Sequence, residues 1–355
     1  MKENPNAYVC IMAGGSGERF WPMSRQRTPK HLLKLFSERT LLEETVRRLE
    51  GVVPAANVYV LTNEAQLAAT REALSFLAPE QIVAEPAKRD TAPAAALATG
   101  LVRARDAEAV LAVLPADHLI GNVERLREQL AAGLARAATT DALLTFAITP
   151  TYPSPGFGYL EMGPELARTP EGGVVRKVAR FVEKPDIATA EQYLASGHYA
   201  WNAGMFLWSV KSFLTEADRH APALAEFVRA FPAGDPTAYL KAKFGELPKI
   251  SVDYAIMEKA PAVETIVAEY DWDDVGMWTS LPQHLPADPH GNAVRGHFVA
   301  ADAKNNVVMS NGRTIALVGV TDLVVVETPD AVLVCHRDKV QDIKKLMPQL
   351  PPHLL

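Results

Sequence analysis

Between Met12 and Leu33 the chain reads MAGGSGERFWPMSRQRTPKHLL. Three glycines, Gly14, Gly15 and Gly17, fall within four positions, directly after the apolar run YVCI. Bare backbone of this kind lets N–H groups approach a phosphate chain and point at its oxygens. From Gly14 to Lys30, Arg19, Arg25, Arg27 and Lys30 stand against Glu18, four basic residues minus one acidic, in a chain whose formal net charge is −6. The loop is suited to an anion, although a glycine turn leading into a solvated basic surface would show the same letters. Two other phosphate loops are excluded by position. A Walker loop needs Gly-Lys-Ser/Thr, and here Glu18 and Arg19 follow Gly17; a dinucleotide fingerprint needs a third glycine where Phe20 stands.

Acidic residues recur where such a loop could use them. Asp117, in VLPADHLI, closes an apolar run, a place better suited to reaching a ligand or metal than to packing; capping the next turn is the alternative. YDWDDVGMW carries Asp271, Asp273 and Asp274 among aromatics, and reads equally as an acidic turn closed by Gly276. A pair of carboxylates from separate loops is a common way to hold Mg²⁺ beside phosphates. The nine histidines show no pair at metal-ligand spacing and no accompanying cysteines, which argues against zinc. His118 is the one histidine beside a candidate carboxylate.

The elements that must position these residues follow from periodicity. Short apolar runs at 8–13, 58–62, 81–84, 109–114 and 142–148 predict strands buried on both faces. Helical patterns lie between them at 40–50, 64–77, 91–105 and 122–138. In the first, Thr40 and Glu43 form a capping box, Leu41, Leu42, Val46 and Leu49 repeat at helical spacing, and Gly51 can stop the helix. Repeated β-α order predicts an α/β fold with a doubly wound, Rossmann-like, mostly parallel sheet. Ligands bind outside the carboxyl ends of such strands, so the glycine loop, EPAKRDTAP and PADH should share one rim. The stretch 151–290 mixes strands (VRKVARFVEK, AGMFLWSV, VETIVAE) with helices (ATAEQYLAS, SVDYAIMEKA) and continues the same domain. After LPADPHGN the composition turns to Val, Asn, Gly and Thr, with short strands expected at 297–300, 306–309, 314–318, 322–327 and 331–335 and a helix at 338–347. The expected division is a domain at 1–290 and a small β domain at 291–355.

With 355 residues, 48% of them hydrophobic, the chain can bury a substantial core. Its acidic balance argues against nucleic-acid or anionic-membrane binding and for small partners. Cys10 and Cys335 lie in strand-like runs and read as buried free thiols of a reducing compartment. No secretory pattern is visible in MKENPNAYVC and no window approaches the ~18 apolar residues of a membrane span. A soluble cytoplasmic protein is expected.

The ordered segments carry a resemblance. MAGGSGERFWPMSRQRTPKHLLKLF is similar to the signature of sugar-1-phosphate nucleotidylyltransferases. EPAKRDTAPAAALA, VLPADHLI, FVEKPD, WNAGMFLW, SVDYAIMEK and WDDVGMW follow in the order seen in mannose-1-phosphate guanylyltransferases, and the match runs from about residue 8 to 347. Departures are small: His31 stands where Gln is common, Asp90 where many relatives have Asn, Leu160 where glycine is more usual, and Met277 where Ser is frequent. They bear on contacts to base and sugar. The segment resembling a second, isomerase domain of bifunctional relatives is not part of the sequence given.

The resemblance implies transfer of GMP from GTP to mannose 1-phosphate, giving GDP-mannose and pyrophosphate by in-line attack on the α-phosphorus with Mg²⁺. It places the nucleotide on Gly14, Gly15 and Gly17, the β- and γ-phosphates on Arg19, and the α-phosphoryl charge on Lys30. Asp117 and Asp274 would hold Mg²⁺, with Asp117 also on the nucleotide. Lys184 would bind the sugar phosphate; Glu183, Asn202 and the Gly158–Tyr159 backbone would complete the sugar pocket. Guanine offers N1–H and N2–H₂ as donors, for which Glu85 is the expected acceptor, with Thr91 and its helix start beside it; Glu85 as a plain helix-start residue is the alternative. A short left-handed β-helix and a homodimer are implied for the tail. Another hexose or heptose 1-phosphate, or an idle paralogue that binds GDP-mannose, remains open at this level.

Overall fold

A computed structural model describes residues 4–15 and 17–355. The expected absence of a leader rests partly on residues 1–3, which lie outside the described residues. The first strands are β1 (Ala7–Met12), β2 (Val58–Asn63), β3 (Ile82–Glu85), β4 (Val110–Pro115), β5 (Leu119–Ile120) and β6 (Leu143–Ile148). β7 (Tyr159–Arg168), β8 (Val174–Val182), β9 (Tyr199–Ser209), β10 (Val263–Val267) and β11 (Trp272–Asp273) follow. Among the described residues one sheet is ordered β3-β2-β1-β4-β9-β6-β10-β8-β7, and β5 pairs with β11 apart from it. β8 and β9 run against the other strands of this sheet, so its orientation is mostly parallel.

Each central strand feeds two cores because successive side chains alternate faces. Tyr8 and Cys10 of β1 pack into one apolar cluster, Ala7, Val9 and Ile11 into the other. Helices α1 (Leu41–Arg47), α2 (Leu67–Ala73), α3 (Thr91–Arg103) and α4 (Val123–Thr139) connect the parallel strands. α1 begins as expected: Thr40 Oγ1 accepts from Glu43 N–H while the Glu43 carboxylate accepts from Thr40 N–H. It ends at Arg47, earlier than the pattern suggests, in a turn closed by Gly51 at φ 80°. α3 is nearly all small residues and lies close to its neighbours; a Cβ on Gly100 would sit 2.6 Å from the Phe231 ring.

The tail carries β12 (Ala293–Arg295), β13 (Phe298–Ala301), β14 (Val307–Met309), β15 (Ile315–Val318), β16 (Leu323–Glu327) and β17 (Val332–His336). β12, β14 and β16 stack in parallel, as do β13 and β15, making the coils of a β-helix that β17 closes by an antiparallel hairpin. Buried asparagines join successive coils: Asn292 Oδ1 accepts from the Asn306 backbone and side chain, and Asn306 Oδ1 accepts from Leu323 N–H. Cys335 is only half-buried, against expectation, because it lies on the outermost strand of this stack. Residues 337–349 wind as a 3₁₀ helix rather than an α-helix. The apolar repeat there, Val340, Ile343, Leu346, has a period of three, which a 3₁₀ helix stacks on one side.

A third core joins the tail to the start of the chain. Val307, Met309, Val324, Val326, Val340 and Ile343 pack with Phe20, Trp21, Leu33, Leu35 and Trp278. Trp278 Nε1 donates to the Trp21 carbonyl, and Trp21 Nε1 to the Leu354 carbonyl.

Candidate active site

The glycine loop leaves β1 at the carboxyl end of the sheet, beside the ends of β3 and β4. Gly17 has φ 64°, and a Cβ there would lie 2.6 Å from Lys30 Cβ and 2.8 Å from Lys30 N. The missing side chain therefore lets the loop lie against Lys30. Lys30 is buried, and its Nζ donates to the Asp274 carbonyl at 2.6 Å, the Val275 carbonyl at 2.9 Å and Asp117 Oδ2 at 2.7 Å. Arg19, on the short 3₁₀ turn Glu18–Phe20, makes no hydrogen bond or ion pair among the described residues.

Asp117 and Asp274 flank this lysine. Burial works to raise the Asp117 pKa, but the adjoining Lys30 outweighs it and the carboxyl lies below its ordinary range. Asp274 lacks a direct ion pair among the described residues; burial, partly relieved by Lys30, pushes its pKa up to about 6. Both loops are braced from behind. β5, which follows Asp117, pairs with β11, which precedes Asp274, and the His118 carbonyl accepts from both terminal nitrogens of buried Arg48. His118 itself accepts from Trp272 Nε1, and burial lowers its pKa to about 4, so it is neutral at physiological pH.

Beside the ends of β1 and β3, Gly14, Gly15, Gly17, Lys30, Glu85, Thr91 and Asp117 line a cavity of about 480 Å³. The Glu85 carboxyl faces Gly14, where an added Cβ would lie 3.9 Å from Oε2, and it has no hydrogen-bond partner among the described residues. Burial raises its pKa to about 8. The Thr91 hydroxyl accepts from Val252 N–H. His31 lines the same cavity with a buried, unpartnered Nε2 and, through burial, a pKa of about 4.

A second cavity, about 360 Å³, is lined by Gly17, Arg19, Lys30, Asp117, Asp274 and Gly276 among others. A third, about 630 Å³, shares Arg19, Asp274 and Gly276 with it and adds Lys184 with a row of aromatics. Lys184 has φ 45°, a strained value for a side-chain-bearing residue, and its Nζ lies 2.6 Å from Glu183 Oε1. The Glu183 carboxylate fits because Gly158 has no Cβ, which would stand 2.6 Å from Glu183 Oε2. Asn202 donates to Asp253 at 3.2 Å and accepts from Thr145 at 2.7 Å. Gly158 gives its carbonyl to Asn202 N–H, and Tyr159 is fully buried; neither lines the three cavities.

A family model described as nucleotidyl transferase matches residues 8–289. The chain belongs to the nucleotidyl transferase family. A second model, a mannose-phosphate isomerase/GMP-like β-helix domain, matches residues 296–350. The xanthan biosynthesis protein XanB of Xanthomonas campestris is 39% identical over 346 residues, covering 96% of this chain and 72% of XanB. A mannose-1-phosphate guanylyltransferase of Klebsiella pneumoniae is 38% identical over 342 residues, covering 94% and 72%. A crystal structure from Thermus thermophilus, described as a mannose-1-phosphate geranyltransferase, superposes with a TM-score of 0.87 at 35% identity, covering 97% of this chain and 99% of that one.

Within this nucleotidyl transferase, the structure gathers Gly14, Gly15, Gly17, Arg19, Lys30, Glu85, Thr91, Asp117, Asp274 and Lys184 along connected cavities. Glu183, Asn202, Gly158 and Tyr159 stand one layer behind Lys184. Sequence reasoning missed Asp253. It sits in a π-helical turn, Asp253–Met257, lies partly buried on the cavity lined by Glu85 and Thr91, and has its pKa raised to about 7 by desolvation and by Glu183. The segment SVDYAIMEKA reads as an ordinary helix, and only the long-range approach of Asn202 and Glu183 singles Asp253 out.

Proposed function

We propose that this chain transfers GMP from GTP to mannose 1-phosphate, giving GDP-mannose and pyrophosphate. One observation carries the proposal: three cavities in a row share charged walls, Gly17, Lys30 and Asp117 between the first two and Arg19, Asp274 and Gly276 between the second and third. A nucleoside triphosphate and a sugar phosphate laid along that row would meet at Lys30. A mannose 1-phosphate oxygen bonds to the α-phosphorus as the bond from that phosphorus to the β-bridging oxygen breaks, and pyrophosphate leaves with the electron pair. Two of the three Lys30 N–H bonds are committed to carbonyls, leaving the third for Asp117 or for a phosphoryl oxygen. Arg19 takes the β- and γ-phosphates, Lys184 the sugar phosphate, and Glu85, without a hydrogen-bond partner among the described residues, the guanine edge. Positioning and charge neutralisation supply the rate enhancement.

A divalent cation fits the donors present. Asp274 is a partly buried carboxylate without a direct ion pair among the described residues, and Asp117 offers a second hard oxygen across Lys30. We assign Mg²⁺ to this pair; when bound it neutralises phosphate charge. The tail from about residue 291 is taken as a separate domain that serves a homodimer, supported by exposed Val299, Val318, Val332 and Val334. A cytoplasmic setting suits the free thiols and these substrates. No helix among the described residues is long and apolar enough to cross a membrane.

The test is pyrophosphate release with Mg²⁺, crossing GTP, ATP, UTP and dTTP against mannose, glucose and heptose 1-phosphates. Release confined to GTP with mannose 1-phosphate supports the proposal. Release with another pair keeps the chemistry and changes the substrates; no release from protein that still binds GDP-mannose refutes the enzymatic reading.

A further inference from the structure

We propose that Lys344, carried by the tail, binds the pyrophosphate end of the nucleotide and the pyrophosphate that leaves, so that the tail forms a wall of the active site. The inference rests on the nucleotidyl-transfer reading above and extends it to a residue far from the signature loops. In the 3₁₀ helix 337–349, side chains three apart lie over one another. Val340 and Ile343 occupy one such row and are buried in the core that also holds Phe20 and Trp21, the residues directly after Arg19. Gln341 and Lys344 occupy the adjoining row. Gln341 lines the sugar-side cavity, and Lys344 lines the phosphate cavity with Arg19, Lys30, Asp117 and Asp274. The buried row thus sets the height and angle at which the polar row meets both cavities.

Charge accounting shows why a further cation is needed there. Lys30 gives two of its N–H bonds to carbonyls and divides the third between Asp117 and the α-phosphoryl group, so it has none to spare for the leaving pyrophosphate. Of the cations lining the phosphate cavity, that leaves Arg19 and Lys344, neither with a hydrogen bond or ion pair among the described residues. The next residue, Lys345, is by contrast held 2.7 Å from Asp342. A departing pyrophosphate carries several negative charges, and one arginine with the Mg²⁺ assigned above, in a cavity that Glu18, Asp117 and Asp274 also line, leaves part of them uncompensated. Lys344 is also exposed, free to swing with the leaving group as it exits.

The experiment measures binding of inorganic pyrophosphate with Mg²⁺ to the full chain by calorimetry, for wild type, Lys344→Ala, Lys344→Arg and Lys345→Ala. Lys344→Ala should weaken binding about tenfold, Lys344→Arg should retain most of it, and Lys345→Ala should leave it unchanged. In turnover, Lys344→Ala should raise KM for GTP, and for pyrophosphate in reverse, with KM for mannose 1-phosphate and the melting temperature unmoved. Equal pyrophosphate affinity in wild type and Lys344→Ala overturns the assignment, as do equal losses in Lys344→Ala and Lys345→Ala, which would mark a general field effect. Normal turnover and normal binding in Lys344→Ala sink this inference alone. A wild type that binds no pyrophosphate sinks it together with the nucleotidyl-transfer reading.

Discussion

Base selection gives the sharpest prediction, because Glu85 is a partly buried carboxyl facing an open cavity with no bond partner among the described residues. Its pKa of about 8 in the free protein comes from burial. Guanine presents two N–H donors on its Watson–Crick edge, and only the ionised carboxylate accepts both. Binding should therefore draw on the ionised fraction, about 3% at pH 6.5 and about 75% at pH 8.5. Apparent GTP affinity should then rise roughly 25-fold across that range. The sign follows from the acid: raising the pH removes the proton that competes with guanine. In Glu85→Gln the amide accepts once and donates once, a pattern that suits the adenine edge instead. We predict that kcat/KM for GTP falls and that for ATP rises, moving the ratio by about 1–3 kcal/mol, or roughly 5- to 150-fold. The assays are GTP and ATP titrations at fixed ionic strength over pH 6.5–8.5, and kcat/KM with both nucleotides for wild type and variant. A flat GTP affinity over that pH range, with an unchanged GTP/ATP ratio in Glu85→Gln, would refute the assignment and return Glu85 to a structural role.

Other predictions concern the phosphates and the frame. Asp274, with a pKa of about 6, must lose its proton to hold a cation, so at limiting Mg²⁺ the rate should rise with pH through about 6, and excess Mg²⁺ should move that midpoint down. Mg²⁺ should also raise the melting temperature at pH 7.5 in wild type and not in Asp274→Asn; an equal rise in both would remove Asp274 as a ligand. Gly17→Ala combines a left-handed backbone with a Cβ driven into Lys30, and should reduce kcat/KM about 100-fold or more while the fold persists; near-normal kinetics would show that the loop and Lys30 need not touch. Trp278→Ala should cost about 3–5 kcal/mol in denaturant unfolding and raise KM for GTP through the displaced Phe20–Trp21 segment; a stability loss with unchanged KM would uncouple the two.

Much of the first 150 residues was legible because their structure is local in origin. The apolar runs became β1, β2, β3, β4 and β6 within a residue or two, and Thr40 with Glu43 formed the expected cap. The middle was harder. The bulged pairing of β7 with β8 and the π-turn at Asp253 depend on partners far along the chain, which periodicity cannot register. The same limit applies to the tail helix: its period of three was written in Val340, Ile343 and Leu346, but the Lys344 row gains meaning only when Arg19 is brought beside it. Carboxylates and lysines near glycine loops stand out by type, whereas Asp253 reads as an ordinary helix residue until the fold sets it on the cavity wall beside Asn202.

The core that joins the tail to Phe20, Trp21 and Leu33 also sets a timetable for synthesis. The residues that brace the glycine loop leave the ribosome before most of the sheet does, and the valines and isoleucine that cover them follow only after β1 to β11 have emerged. An unfinished chain can build most of its sheet, but Phe20 and Trp21 stay uncovered until residues 307–343 have emerged. The cavity that Arg19 and Lys344 line is thus completed only after the sheet, and a chain cut before residue 307 would lack that wall. Loop and tail mature together, since the glycine loop is fixed only once residues 307–343 have folded over Phe20 and Trp21.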